Sequence, residues 1–212
     1  MKPLITALIS LILLYLPASA ETVDEVVAAV GTTPILRSDL RLAELVRLVE
    51  PAPDESPDDH GARLLEARIR LELQFRDLEA SGSLYRLDLD VGPARTALVE
   101  RAGGEATAAA ALAANGLADA DLDELALRIA AVNAYVDQRL RPRVRVGSDE
   151  LRAAYQELVV GPLAGTGEAP PAFESVQEQI HLVLAERALN AEIERWLAAA
   201  SEQLDVTRFS DR

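Results

Sequence analysis

The sequence predicts a mainly α-helical fold with a small β-sheet formed by strands from the two ends of the mature chain. Apolar residues recur at helical spacing over most of the 212 residues. Near the start, Val26–Val30 (VVAAV) has the β-branched content of a strand, and a turn signal (GTTP) follows it. Near the end, residues 204–209 alternate apolar and polar, as a half-buried strand does. A lone strand leaves backbone groups unpaired, so we expect these two strands to pair, with residues 35–36 as a candidate third member.

Residues 1–20 have the features of a secretory signal peptide. A basic start at Lys2 precedes an almost wholly apolar run over residues 4–16, and small residues then lead to Ala20. The apolar run is shorter than the roughly 20 residues that a membrane-spanning helix needs. We therefore expect cleavage between Ala20 and Glu21, export to the periplasm, and no stable insertion into a membrane.

Composition narrows the classes of function. The chain has a net charge of −14, and loss of Lys2, its only lysine, makes this −15. Such a charge repels phosphate backbones and anionic membranes, which argues against nucleic-acid binding. The chain has no Cys, so stability has to come from core packing, which its 50% hydrophobic content can supply.

The first two helices are expected on either side of an acidic loop. Ser38 is the expected N-cap of the first, with Asp39 in its first turn and Pro51 beyond its end. Residues 51–59 (PAPDESPDD) form the loop, and the second helix follows over about 61–81. That helix carries two apolar rows, which predict burial on more than one side. The rows are Leu64, Leu71, Phe75 and Leu78, and Leu65, Ile69 and Leu73.

Five further helices are expected, at about 90–102, 105–115, 119–141, 148–158 and from 173 onward. Asp119 or Asp121 is the expected cap of the third of these, and Ser148 caps the fourth. Residues 161–171 (GPLAGTGEAPP) form a flexible linker before the last long helix, which begins near Phe173.

An ordered set of motifs resembles the SurA family of periplasmic chaperones and the core that SurA shares with trigger factor. The stretch VDEVVAAVGTTPILRSDL (23–40) is similar to the N-terminal strand, turn and helix start of the family. The matching residues are Asp24, Val26, Ala28, Val30, Pro34, Ile35, Ser38, Asp39 and Leu40. The likeness continues through residues 103–158, with GG-E, N-G-L, D-Q-R and S-D-E-L elements in the family's order, and through the closing segment 173–206.

One departure from the family is large. SurA-like proteins carry one or two parvulin-type prolyl isomerase domains where this chain has about a dozen linker residues, and a domain needs at least roughly 50. We therefore divide the chain into a signal peptide (1–20) and a single SurA-like chaperone domain (21–212). The domain comprises an N-terminal part (21–158), a linker in place of the isomerase domain (159–172), and a closing helix and strand (173–212).

Few residues suggest other chemistry. His60 lies among four acidic residues in the expected loop, but their spacing fits neither a Ca²⁺ loop nor a Zn²⁺ site. His181 on the closing helix has no evident partner nearby in the sequence. No phosphate-binding loop, nucleophile elbow or HExxH motif is present. We expect no catalytic residue, cofactor or metal.

The resemblance implies an ATP-independent chaperone or peptide-binding module for unfolded polypeptides, such as outer-membrane protein precursors. Such a module presents an apolar crevice between helices. The candidate client-binding residues are Leu64, Leu71, Phe75, Tyr135 and Trp196. Tyr135 and Trp196 fit a core role as well. Two alternatives stay open: a peptidyl-prolyl isomerase, by family label, and a structural subunit with one dedicated folded partner. The choice between monomer and homodimer is also open.

The signal peptide gives the first testable prediction. Intact-mass analysis of the exported protein should show Glu21 as the first residue, because a signal peptidase cleaves after the small residue Ala20. Retention of Met1 in the exported protein would contradict this assignment.

Overall fold

The computed structural model describes residues 24–209, and the expected signal peptide and its Ala20–Glu21 cleavage site lie outside the described residues. The described chain is mainly helical, with one small antiparallel sheet, as the sequence predicted.

The sheet has three strands in the order β2-β1-β3: β1 (Val26–Val30), β2 (Thr33–Leu36) and β3 (Val206–Arg208). In the middle strand, Ala28 pairs with Ile35 on one side and with Arg208 on the other. Gly31 adopts a left-handed conformation (φ +57°) in the β1–β2 turn, and its N–H donates to the Asp205 carbonyl at 2.8 Å. The predicted pairing of strands from the two ends is confirmed.

Within residues 24–209, seven helices of eight or more residues make up most of the rest, and one short helical turn lies at Gly161–Leu163. They are α1 (Arg37–Leu45), α2 (Pro57–Ala80), α3 (Gly92–Arg101), α4 (Glu105–Ala114), α5 (Asp119–Tyr135), α6 (Ser148–Tyr155) and α7 (Phe173–Gln203). Widened π-helical turns extend α5 over Val136–Leu140 and α6 over Gln156–Val160. Two short 3₁₀ turns lie at Leu84–Arg86 and Arg141–Arg143.

Ser38 and Ser148 were predicted to cap helices, and both assignments are wrong. Instead, the acidic third residue of each helix accepts a hydrogen bond from the backbone N–H of the residue that precedes the helix. Asp39 Oδ2 accepts from the Leu36 N–H at 2.8 Å, and Glu150 Oε2 accepts from the Gly147 N–H at 2.8 Å. These carboxylates also sit at the positive end of the helix dipole, which favours them as caps.

The ends of the first two helices also differ from the prediction. Helix α1 stops at Leu45, and Arg47 adopts a left-handed conformation (φ +48°) that turns the chain away. Helix α2 starts at Pro57, earlier than expected, because Ser56 Oγ accepts from the Asp59 N–H at 3.1 Å and Pro fits the first helical position. His60 therefore lies in the first turn of α2 and not in a loop.

Helix α2 separates two apolar cores, as its two predicted rows require. Leu71 and Phe75 belong to the main core, which α1, α3, α4 and α5 complete. Ile69 and Leu73 belong to a second core beneath the terminal sheet. The buried residues of α2 are therefore concentrated between Arg68 and Leu78, and most of its exposed residues lie before them.

Helix α6 and residues 173–188 of α7 pack on each other around a third, smaller core. We call this pair the α6–α7 arm. Its buried residues are Leu151, Ala154 and Ile180. The rings of Tyr155 and Phe173 meet edge to face with centroids 5.5 Å apart. The second half of α7 returns to the body, where it contacts both of the other cores.

The terminal sheet gives the second prediction. Removal of residues 204–212 should lower the free energy of unfolding by about 2 kcal/mol or more, because it exposes one side of β1 and removes partly buried apolar contacts. Urea unfolding measures the change.

Truncation after Phe209 retains all of β3 and is the control. Equal unfolding midpoints for the full chain and the 204–212 deletion would contradict the pairing of β1 with β3.

Candidate functional site

Three of the five candidate client-binding residues lie inside the body. Leu64, Leu71 and Phe75 are each at most 9% exposed. Leu71 and Phe75 belong to the main core, and all three lie along one helix, α2. Their side chains pack inside the protein and are not accessible to a client, so we do not keep them as contact residues.

The other two candidates are partly buried and contact each other. The rings of Tyr135 and Trp196 lie with centroids 4.6 Å apart and planes tilted by 42°. The Trp196 indole Nε1–H donates to Asp77 Oδ2 at 2.8 Å. This contact attaches α7 to α2 and to the end of α5, a structural role that accounts for both rings.

The structure contains a cavity of about 300 Å³ between β2, α1, α2 and α5. Apolar walls come from Pro34, Leu42, Leu117 and Leu125, and seven charged side chains also line it. The charged residues are Arg68, Arg76 and Arg128 with Asp39, Glu72, Asp121 and Glu124. A cavity that combines apolar walls with convergent charged groups is the usual form of a binding site.

Glu72 is the centre of the charged cluster. Its side chain is 2% exposed, and its carboxylate accepts from Arg128 Nε at 2.8 Å and from Arg76 Nε at 2.6 Å. Both guanidinium groups also lie near the Phe75 ring, at 5.0 Å and 5.7 Å from its centroid. Burial disfavours the charge on Arg128, but the carboxylates of Glu72 and Glu124 together outweigh this and raise the pKa of Arg128. The buried Glu72 carboxylate is thus paired with two guanidinium groups.

Arg68 is less well satisfied. It is 5% exposed, and its Nη2 lies 3.4 Å from Asp39 Oδ1, a long contact. Its Nη1 is buried without a hydrogen-bond partner among the described residues. Burial lowers the pKa of Arg68, although the nearby carboxylates of Asp39 and Glu72 oppose this shift. A buried donor without a partner costs about 1–3 kcal/mol, so Arg68 is a strained point in an otherwise paired cluster.

Sequence reasoning missed this cluster because it counted only the apolar residues of α2. Leu64, Arg68 and Glu72 follow one another at intervals of four, so the two charged residues share a face with a core leucine. Charged residues on the buried face of a helix are rare unless paired, and that was the available signal. The partner on α5, Arg128, is far away in the sequence and only the fold brings it close.

Two apolar surfaces lie outside this cavity. A shallow groove of about 210 Å³ runs between α2 and α5, with Leu48, Ala67 and Ile129 among its walls. On the α6–α7 arm, Leu182 and Val183 are 56% and 43% exposed. Adjacent exposed aliphatic residues of this size form a contact surface for other apolar groups.

Of the two histidines considered in the sequence, His60 contacts a neighbouring carboxylate. His60 Nδ1 lies 3.3 Å from Glu55 Oε2, and the same carboxylate accepts from Arg63 Nη1 at 2.8 Å. Across residues 24–209, no group of three or more side chains is arranged to hold a metal ion. Among these same residues, no helix is long and apolar enough to cross a membrane.

Comparison with known protein families finds none that matches the chain, and comparison with curated proteins finds no match. The likeness to SurA therefore stays a prediction from the sequence motifs.

The buried ion pair gives the third prediction. Glu72→Gln should lower the free energy of unfolding by about 3–5 kcal/mol, because it leaves Arg128 buried without its main counter-charge. Urea denaturation at neutral pH measures the loss.

Glu79→Gln is the matched control on the same helix. Glu79 also pairs with Arg76, but its side chain is 36% exposed, so the change should cost less than about 1 kcal/mol. Equal costs for the two variants would show that the Glu72 pair is not buried as described.

Proposed function

We propose that this chain is a periplasmic, ATP-independent chaperone or peptide-binding module for unfolded polypeptides, in particular outer-membrane protein precursors. The SurA-like motifs suggest this class of function. The terminal sheet and the helical body are consistent with the architecture that those motifs imply.

One observation carries the proposal. Helix α7 is 31 residues long, yet only Ile180, Leu189 and Ala200 are buried along it. Its other apolar residues are half-buried or exposed, and Leu182 and Val183 face solvent on the arm. A helix that leaves this much apolar surface accessible fits a protein that covers apolar segments of another chain.

Charge supports the same function. The chain has a net charge of −14, which keeps a protein soluble while it holds an apolar client. Contacts with the client come from apolar surface, each of them weak, and several together give useful affinity. Because each contact is weak, the client can dissociate without nucleotide hydrolysis.

Aggregation of a client gives the fourth prediction. The mature protein should suppress light scattering by a urea-diluted outer-membrane β-barrel precursor in the absence of ATP. Suppression should weaken little with added salt, because apolar contact and not charge provides the attraction. No suppression at several-fold molar excess of folded protein would contradict the function. Suppression abolished by moderate salt would contradict the apolar mechanism.

A pair of variants on the arm tests the surface itself. Leu182→Ser with Val183→Ser should require roughly tenfold more protein for equal suppression, since covering two half-exposed aliphatic side chains contributes about 1–2 kcal/mol. Gln177→Ser with Gln179→Ser changes exposed polar residues of the same helix and should leave suppression unchanged. A single tight stoichiometric complex in a pulldown, in place of many unfolded clients, would favour a dedicated structural subunit.

A further inference from the structure

We propose that the free edge of strand β3 pairs with an extended segment of an unfolded polypeptide, which adds a fourth, antiparallel strand to the terminal sheet. This mode of binding deepens the proposed function, on which it rests for the identity of the ligand as an unfolded chain. The geometry of the pairing comes from the backbone of the sheet alone.

The backbone groups of β3 divide between the two sides of the strand. The Asp205 carbonyl accepts from the Gly31 N–H at 2.8 Å, and the Phe209 N–H donates to the Val27 carbonyl at 2.9 Å. Hydrogen-bonded pairs recur at every second residue of an antiparallel ladder, so Thr207 also directs its N–H and C=O at β1. Residues 205, 207 and 209 therefore pair with β1.

The two residues between them, Val206 and Arg208, point their N–H and C=O groups away from β1. Strand β3 is at the edge of the sheet, and no other backbone segment within residues 24–209 pairs with these four groups. Val206 is half-buried, and Thr207, Arg208 and Phe209 are exposed, so this end of the chain is open to solvent. An unpaired strand edge is a template for another extended chain.

The opposite edge of the sheet is closed. On β2, Pro34 and Leu36 point away from β1, because Thr33 pairs with Val30 across the turn. Pro34 has no N–H, and the Leu36 N–H already donates to Asp39 Oδ2 at 2.8 Å. Of the two edges that the structure describes, that of β3 keeps its outward donors available, and it contains no proline.

The charged side chain on β3 does not close its edge. Arg208 Nε and Nη2 donate to the two Glu66 carboxylate oxygens at 2.8 Å and 2.9 Å, which holds the guanidinium group on α2. Side chains stand roughly perpendicular to a sheet, whereas its hydrogen bonds lie in the plane. The pair with Glu66 therefore covers the face of β3 and leaves the edge accessible.

A groove borders the face of β3 that carries the Val206 and Arg208 side chains. It has a volume of about 520 Å³ between α2, the end of α7 and β3, and Leu197 and Ala198 are among its apolar walls. Client residues opposite Val206 and Arg208 place their side chains on this same face. The site thus favours a segment in which apolar and polar residues alternate, the pattern of outer-membrane β-strands.

The size of the edge sets the strength of the contact. Two residues with one donor and one acceptor each allow four hydrogen bonds, whose net contribution is modest in water. Such a contact is reversible and adds to the apolar contacts of the arm. A second copy of this chain is a poorer partner, because each copy has a net charge of −14.

Amide hydrogen exchange of the mature protein, followed by NMR, tests the edge. The probe is the neutral peptide acetyl-Thr-Val-Thr-Val-Thr amide. In the free protein the Val206 and Arg208 amides should exchange rapidly, whereas the Thr207 amide, bonded to β1, should exchange slowly. Saturating peptide should slow exchange at Val206 and Arg208 about tenfold. Protection of both amides in the free protein would show that the edge is already covered, by a second copy or by this chain, and would overturn the proposal. Unchanged exchange with peptide would also overturn it.

Two N-methylated forms of the probe test the hydrogen bonds without altering the protein. Methylation of both valine nitrogens removes the donors that face β3 when the valines lie on the groove side, and methylation of two threonine nitrogens removes donors that point away. The valine-methylated peptide should bind about tenfold more weakly than the parent peptide, the effect of losing two hydrogen bonds, and the threonine-methylated peptide should bind as the parent does. Equal affinity of the two methylated peptides would contradict the pairing.

Arg208→Pro and Arg208→Ala form a matched pair of variants. Both lose the ion pair with Glu66, but only proline removes the outward N–H, which β1 does not use. Arg208→Pro should bind the probe about fivefold more weakly than Arg208→Ala, the effect of one lost hydrogen bond. Equal affinity of the two folded variants would overturn the role of this edge. If the proline variant does not fold, the methylated peptides on the wild type decide the question.

The two proposals fail separately. Suppression of client aggregation by a protein whose Val206 and Arg208 amides the probe never protects would leave the chaperone function and remove strand addition. Protection of these amides without suppression would leave the strand-addition site and remove the chaperone function.

Discussion

Helix α2 packs against a different apolar layer on each of two sides, with Leu71 and Phe75 in the main core and Ile69 and Leu73 beneath the terminal sheet. Charged residues on the buried faces of such a helix have to be satisfied inside the protein. Glu72 meets that requirement through Arg128 on α5, which also holds α5 in place. The same enclosure places Arg68 at the cavity.

The terminal sheet and helix α7 depend on this arrangement. Strand β3 directly follows α7, so Ala28 can pair with Arg208 only because the end of α7 lies against α2. Trp196 and Leu197 make apolar contacts with the two cores there. At 1.5 Å per residue, the 31 residues of α7 span about 46 Å, more than the 24-residue α2 beside it. The second half of α7 therefore completes the body, and the first half is left to form the arm with α6, where apolar residues stay accessible.

Patterns local in sequence predicted most of the fold. The VVAAV strand, the two apolar rows of α2 and the alternating end of the chain each indicated their element, because side-chain periodicity reports which face is buried. Ser38 and Ser148 were misassigned as caps because Asp39 and Glu150 accept from the Leu36 and Gly147 N–H groups instead, which places both serines inside the first turn of their helices. The charged cavity was not predictable, because Glu72 and Arg128 meet only through tertiary packing. The structure buries Leu64, Leu71 and Phe75, so these three are no longer candidate contact residues.

The central claim is that unfolded polypeptide contacts the apolar surface of the α6–α7 arm. Photo-crosslinking tests it most directly, with a photoreactive residue placed in turn at Leu182 on the arm and at the exposed Glu100 as a control. The account predicts crosslinks from position 182 to an unfolded outer-membrane precursor, and few from position 100 or to the same client once folded. Equal crosslinking at the two positions, or none to the unfolded client, would contradict it.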